Sequence, residues 1–299
     1  MTSSTPRLTA LIVLAGLAVT PGAGAQQSDL LVDAAWVHQR LDEPNLVLLH
    51  VGPDAEYATE HIAGAVLAGH EDYSHPGSHG DGPLVLELPE PEAFQELLRA
   101  AGVNEDSRIV VYWGEEWVTP TARVVFTLDW AGLGARTSIM NGGLTAWKAA
   151  GYELTGEAPS PVAGDVTVRP RPELVVDADW VRAHAAGDGY RIVDARAEAF
   201  YDGVRDDRGK AGHIPGAGSV PWATLVDEET LLLHPPERLR ELFAAAGVEE
   251  GDTVVGYCHI GQFATWMLFA ARTLGHDVVL YDGAFQDWAQ RDLPVETGR

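Results

Sequence analysis

The chain holds one cysteine, Cys258, at the end of the apolar run Asp252-Thr253-Val254-Val255-Gly256-Tyr257. His259-Ile260-Gly261-Gln262-Phe263-Ala264-Thr265 follows directly, and then an apolar helical stretch from Trp266 to Leu274. A single cysteine cannot cross-link its own chain, so it is either a buried bystander or a reactive thiol. Composition leaves both open; position favours the second. Ligand sites in open α/β sheets form outside the carboxyl ends of strands. A thiol there, one tight loop before a helix, faces unpaired backbone N–H groups and the positive end of the helix dipole. Both favour thiolate over thiol, and so a lowered pKa is expected for Cys258. Gly261 would let the loop curl so that its amides point inward.

The elements that must position this thiol occur twice. Glu96-Leu97-Leu98-Arg99-Ala100-Ala101-Gly102-Val103 matches Glu241-Leu242-Phe243-Ala244-Ala245-Ala246-Gly247-Val248. The strands after them, SRIVVYW (107–113) and DTVVGYC (252–258), align in step. His61-Ile62-Ala63-Gly64-Ala65 pairs with His213-Ile214-Pro215-Gly216-Ala217, and Asn141-Gly142-Gly143 and Trp147 pair with Asp282-Gly283-Ala284 and Trp288. The chain is a duplication. Each copy reads as a short buried strand (45–51; 190–195), the HIxGA turn, an amphipathic helix (91–101; 236–246), a second strand, a helix (121–132; 263–274) and a third strand. Strands alternating with helices at this spacing imply a parallel sheet with helices on both faces, an α/β class.

These matches divide the chain into residues 1–25, 29–156, 157–173 and 174–299. The Pro-rich stretch Glu157 to Glu173 is the expected linker. Residues 1–25 read as an export signal: Arg7 is the one early positive charge, Leu8 to Val19 is apolar, and Ala23-Gly24-Ala25 suits a cleavage site. The protein is therefore expected to be exported, periplasmic or secreted. With 46% hydrophobic and 21% charged residues the chain as a whole reads as globular. Its 44 acidic against 20 basic residues, a formal charge of -24, repel phosphate backbones and anionic lipid, so neither nucleic acid nor membrane is an expected partner.

VDAR (193–196), GHIPGA (212–217), YCHIGQFAT (257–265) and YDGAFQDW (281–288), in that order, resemble the rhodanese family of sulfurtransferases. Over roughly residues 29–298 the chain looks like the tandem two-domain members, whose first domain is degenerate and whose second is catalytic. The resemblance implies two tandem rhodanese-like domains and no cofactor. It implies a persulfide on Cys258 that takes sulfur from a small anionic donor, thiosulfate, and gives it to cyanide or a thiol, a protein thiol among them. It also implies a substrate-binding set of Arg196 with His259, Ile260, Gly261, Gln262 and Phe263, supported by Asp194 and Thr265. Arg196 is expected to grip the donor, because a guanidinium keeps its charge and offers paired N–H groups; tying the strand end to Asp194 is its other role.

In the first copy His50 stands for Asp194, Gly52 for Arg196 and Trp113 for Cys258, with Glu115 and Glu116 in the following loop, so that domain is expected to be structural and to form one wall of a cleft. Within the second copy, His259 and Ile260 stand where many thiosulfate enzymes of the family carry cations, and Phe200 stands where the mercaptopyruvate branch has a second arginine. An eight-residue insertion between Tyr201 and His213 carries Arg205, Arg208 and Lys210 and is expected to be a solvated loop. His70, His75 and His79 match no firm zinc spacing, and no metal is expected. His61 and His213 are expected to be structural hydrogen-bonders, and Trp147 and Trp288 core residues.

Three rival readings start from one reactive cysteine. A 3-mercaptopyruvate sulfurtransferase shares the mechanism. A persulfide carrier or docking protein of an exported sulfur pathway would load once and need a dedicated acceptor. A cysteine phosphatase needs an arginine closing the loop to clamp phosphate oxygens, and Thr265 and its neighbours supply none.

Overall fold

The structure is a computed structural model and describes residues 30–69, 72–74, 84–114, 118–184 and 189–298. The export signal at 1–25, the histidines at 70, 75 and 79, and Glu115 and Glu116 lie outside the described residues.

The first copy supplies strands β1 (Leu31–Val32), β2 (Leu46–Val51), β3 (Val66–Leu67), β4 (Arg108–Trp113) and β5 (Thr137–Met140). Its helices are α1 (Ala34–His38), α2 (Asp54–Tyr57), α3 (Pro91–Ala100), α4 (Val118–Leu128) and α5 (Gly143–Ala149). The second copy supplies β6 (Val175–Val176), β7 (Tyr190–Asp194), the short pair β8 (Asp206–Asp207) and β9 (Lys210–Ala211), then β10 (Gly218–Ser219), β11 (Thr253–Tyr257) and β12 (Val278–Tyr281). Its helices are α6 (Ala178–His184), α7 (Glu198–Tyr201), α8 (Pro236–Ala245), α9 (Gln262–Thr273) and α10 (Ala284–Gln290). The two five-stranded sheets run β1-β5-β4-β2-β3 and β10-β7-β11-β12-β6, every pairing parallel and both with one topology. Register confirms the internal alignment: His50 faces Tyr112 across β2 and β4 as Asp194 faces Tyr257 across β7 and β11.

Strand side chains alternate between faces. In β4, Ile109, Val111 and Trp113 enter a core shared by both domains, while Val110 and Tyr112 enter an outer core with Val37, Leu144 and Trp147. In β11 and the residue after it, Val254 and Cys258 face the shared core, while Val255 and Tyr257 face a second outer core with Val181, Phe285 and Trp288. Alternation thus turns the thiol towards the other domain. The helices that follow β4 and β11 pack on each other there. Every residue given a place in α4 except Pro120 is buried, as is the run Ala264–Ala271 in α9. Such all-round burial marks interior helices, with no solvent face for an amphipathic pattern to reveal.

The HIxGA turns repeat one network. Tyr57 and Tyr201 hydroxyls donate to the Ala65 and Ala217 carbonyls at 2.7 Å each. His61 Nδ1 and His213 Nδ1 meet the Tyr57 and Tyr201 carbonyls at 2.6 and 2.8 Å, with the rings stacked. Both histidines are structural hydrogen-bonders. Residues 157–171 contain no helix or strand but are strapped to the first domain, where Gly164 N–H donates to Arg99 and Arg171 N–H to Trp130.

The insertion between Tyr201 and His213 is a β-hairpin. β8 and β9 pair antiparallel through Asp206↔Ala211 and Asp207↔Lys210, leaving Arg208 and Gly209 as a two-residue turn. Both turn residues have positive φ, 54° and 77°, as the tightest hairpin turns require. The segment is solvated, as expected, with Val204, Arg205, Asp206 and Gly209 exposed, but it is ordered as a hairpin and not as an open loop. Lys210 Nζ pairs with Asp292 at 2.7 Å and donates to the Leu293 carbonyl, and the Arg208 side chain is 23% exposed.

Candidate active site

Cys258 follows the last residue of β11 and is fully buried. The backbone N–H groups of Ile260, Gly261, Phe263 and Ala264 bond to its sulfur. Gly261 makes this possible. It takes φ 85° as the residue before α9, and a Cβ there would come within 3.0 Å of the Asp282 carbonyl and 3.2 Å of Arg123 Nη1. The loop carbonyls are capped from α10: Phe285 N–H donates to Cys258 at 2.9 Å and Gln286 N–H to His259 at 3.1 Å.

The expected lowering of the cysteine pKa is corrected. Burial pushes the Cys258 thiol up from its ordinary value, and the four amides pull against that without overcoming it. Desolvation of a fully enclosed sulfur is what the loop sequence could not display.

A cavity of about 390 Å³ is lined by Asp207, Arg208, Cys258, His259, Ile260, Gln262 and Phe263. It unites the cysteine loop with the hairpin. His259 Nδ1 lies 2.5 Å from Asp207 Oδ2, and its ring meets those of Phe200 and Phe263 edge-on at 4.7 and 5.8 Å. The Gln262 amide donates to Thr119 Oγ1 of the first domain at 3.1 Å. Phe263 packs on Trp222, and the Thr265 hydroxyl is turned back onto the Gln262 carbonyl.

Arg196 lies elsewhere, and the donor-gripping role expected of it is corrected. Its side chain is fully buried; Nη2 donates to Asp194 Oδ2 at 2.7 Å and to the Gly212 carbonyl at 2.8 Å, and Nε donates to both Asp194 oxygens at 3.1 Å. Nη1 reaches Asp207 at 3.4 Å, and the guanidinium carbon stands 3.9 Å from the Phe285 ring centre. Burial opposes its charge, and Asp194 outweighs that and raises its pKa. Arg196 is spent on fastening β7 to the hairpin and does not line the cavity.

The cation on the cavity wall is instead Arg208, whose Nε lies 4.0 Å from Asp207 Oδ1. Asp207 itself was missed in the sequence: it stands 52 residues from His259, in no motif. The visible trace of it was the insertion Asp206-Asp207-Arg208-Gly209-Lys210, absent from the first copy. Equally unmarked is Arg123 of α4, whose Nη1 donates to Asp282 Oδ1 at 2.6 Å beside Gly261, and whose Nη2 donates to the Leu86 carbonyl. The first domain thus braces the cysteine loop through Thr119 and Arg123. Among the described residues no group of three or more His, Cys, Asp or Glu could hold a metal, and no helix is long and apolar enough to cross a membrane.

A family model described as a rhodanese-like domain matches the chain twice, over residues 33–150 and 177–291. The chain belongs to the rhodanese family. It is a two-domain rhodanese, and its relatives along the whole length are sulfurtransferases, as this protein is. The 3-mercaptopyruvate sulfurtransferase of Escherichia coli (strain K12) is 32% identical over 280 residues, covering 89% of this chain and 97% of that one. The mitochondrial thiosulfate/3-mercaptopyruvate sulfurtransferase 1 of Arabidopsis thaliana is 29% identical over 305 residues, covering 90% and 79%. Among solved structures, SseA from Escherichia coli, a 3-mercaptopyruvate sulfotransferase with the rhodanese fold, superposes with a TM-score of 0.75 at 30% identity, covering 86% of this rhodanese and 99% of SseA.

Proposed function

We propose that this rhodanese carries sulfane sulfur on Cys258, with thiosulfate as donor and a thiol as acceptor, cyanide serving in vitro. The observation that carries the reading is Cys258 in the wall of a 390 Å³ cavity, with four backbone N–H groups turned onto its sulfur. Those donors match the anionic persulfide as an oxyanion hole matches an oxyanion. Attack by the Cys258 thiolate on the outer sulfur of thiosulfate forms one S–S bond, breaks another and releases sulfite; the acceptor then takes the outer sulfur and returns the thiolate.

Thiosulfate is favoured because a small dianion can be held by the loop amides with Arg208 on the cavity wall. Phe200 presents an apolar ring, packed under Arg205 at 4.7 Å and against His259, where a mercaptopyruvate carboxylate would need a partner. Leaving that carboxylate unpaired costs roughly 1–3 kcal/mol or more. Mercaptopyruvate is the second reading, favoured by the activity named for the Escherichia coli relative. Anaerobic incubation with thiosulfate should add one sulfur atom to Cys258, seen by intact mass and absent in Cys258→Ser. No added sulfur would refute the Cys258 assignment, and a clearly higher kcat/KM for mercaptopyruvate would reverse the donor. Residues 1–25 support export, and an extracytoplasmic protein beginning near Gln26 is the expected product; a cytoplasmic form still starting at Met1 refutes it.

A further inference from the structure

The Asp207–His259 pair has no part in holding the sulfur on Cys258, yet it opens into the same cavity. Asp207 is 11% exposed at its side chain and faces three cationic or protonatable groups: His259 at 2.5 Å, Arg196 at 3.4 Å and Arg208 at 4.0 Å. Burial works to raise its pKa; the hydrogen bond from His259 and the charges of His259, Arg196 and Arg208 outweigh that and hold the carboxyl below its ordinary value. An ionised carboxylate only accepts hydrogen bonds, so Nδ1 carries the ring proton. When the ring is neutral, its lone pair is thereby placed on Nε2. Among the described residues Nε2 makes no hydrogen bond, and the side chain keeps 23% of its surface exposed. The other neighbours of the ring are the uncharged Phe200 of α7 and Phe263 of α9, with Arg205 reaching over Phe200 and Cys258 adjacent in the chain.

Fixing one ring nitrogen with a buried carboxylate, so that the other is a base of defined direction, is the logic of hydrolase triads. We propose that His259 is the general base that takes the proton from an incoming thiol acceptor, with Asp207 its positioning residue, so that this site serves protonated alkyl thiols rather than acceptors that arrive as anions. The proposal rests on the persulfide reading above. The thiol proton passes to Nε2; the acceptor sulfur bonds to the outer sulfur of the persulfide; the bond to Cys258 breaks with its electron pair on the cysteine. The acceptor leaves as its own persulfide, the proton goes from His259 to solvent, and nothing is oxidised or reduced overall. The pair exists only because the hairpin exists: the first copy runs from Tyr57 to His61 with no insertion, and its loop after β4 has no cysteine.

The test separates loading from discharge. Wild-type, His259→Gln and Asp207→Asn proteins are loaded anaerobically with thiosulfate or mercaptopyruvate, and discharge is timed by stopped flow. The acceptors are 2-mercaptoethanol, protonated at pH 7, and thionitrobenzoate, already ionised. The ratio of the first rate to the second should fall about 100-fold in His259→Gln, the usual scale of a lost general base. It should fall in the same direction, by about 10-fold or more, in Asp207→Asn. In His259→Gln the 2-mercaptoethanol rate should climb about tenfold per pH unit towards that thiol's own pKa, the sign that only free thiolate reacts. An unchanged ratio, or equal loss with both acceptors, overturns the proposal and leaves His259 a shaping residue. If His259→Gln fails to fold, Asp207→Asn decides by the same ratio. Wild-type protein that loads from neither donor overturns the persulfide reading, and this one with it.

Discussion

Arg196 and Asp194 grip one another two residues apart at the end of β7, 2.7 Å at the closest, with neither side chain reaching solvent. The pair sits directly behind Asp207, so the arginine acts on the cavity through the hairpin it fastens. Arg196→Met would strand the Asp194 carboxylate in the interior, and the expected loss is about 3–5 kcal/mol of stability. Denaturant titration measures it. KM for thiosulfate should stay near wild type at temperatures where the variant is folded; a large KM increase without loss of stability would return Arg196 to the donor.

Gly261→Ala puts a Cβ at φ 85°, beside the Asp282 carbonyl and Arg123. The left-handed conformation costs about 1–2 kcal/mol for an L-residue, and relief requires the loop amides to turn. Persulfide formation should slow by at least about tenfold, the equivalent of 1.4 kcal/mol. Loading kinetics at wild-type speed would show that the amides around Cys258 tolerate reorientation.

His50 lies at the Asp194 position of the first copy, fully buried, and neither ring nitrogen has a hydrogen-bond partner among the described residues. Burial, with a smaller contribution from His61, lowers its pKa to about 4. An unfolded histidine titrates near 6.5. As pH falls from about 6.5 to about 4 the unfolded chain therefore gains a proton that the native chain refuses, and roughly 3 kcal/mol of stability is lost across that window. His50→Phe should abolish this component. Urea titrations of both proteins at pH 7.5 and 4.5 measure it, and equal pH dependence would refute it.

Arg123→Met removes the cation that the first domain sends to Asp282. Among the described residues the Asp282 carboxylate then keeps only the Leu88 N–H at 3.0 Å, so about 3–5 kcal/mol of stability should go. Since Arg123 also abuts Gly261, kcat/KM should fall alongside stability, and a variant destabilised with full kcat/KM would mean the cysteine loop holds its shape unaided.

The duplication and the strand carrying Cys258 were legible because each rests on local pattern: apolar runs of strand length, amphipathic α3 and α8, and HIxGA turns whose Tyr and His partners are near in sequence. Position at the end of β11 was enough to single out the cysteine. Arg196 was legible as a charge but not as a satisfied one, since its partners Gly212 and Phe285 come from other segments. The Cys258 thiol misled for a related reason: loop amides can be inferred from a strand–loop–helix order, whereas complete burial in the core shared by the two domains follows from no local pattern. Asp207 and His259 meet only because a hairpin with Arg208 and Gly209 at its turn folds back over the loop, and no periodicity announces that.

The packing of α4 against α9 also dictates an order of events at the ribosome. The chain has completed α4 by residue 128, but α9 begins only at residue 262. Throughout that interval the nascent first domain holds a helix of Val124, Val125, Phe126 and Leu128 with its companion not yet made. Newly made apolar surface left waiting in this way is where chains associate with one another and chaperones bind. A chain truncated at the linker would keep that surface bare permanently, and it should be recovered as aggregate or chaperone complex, not as a free half-molecule.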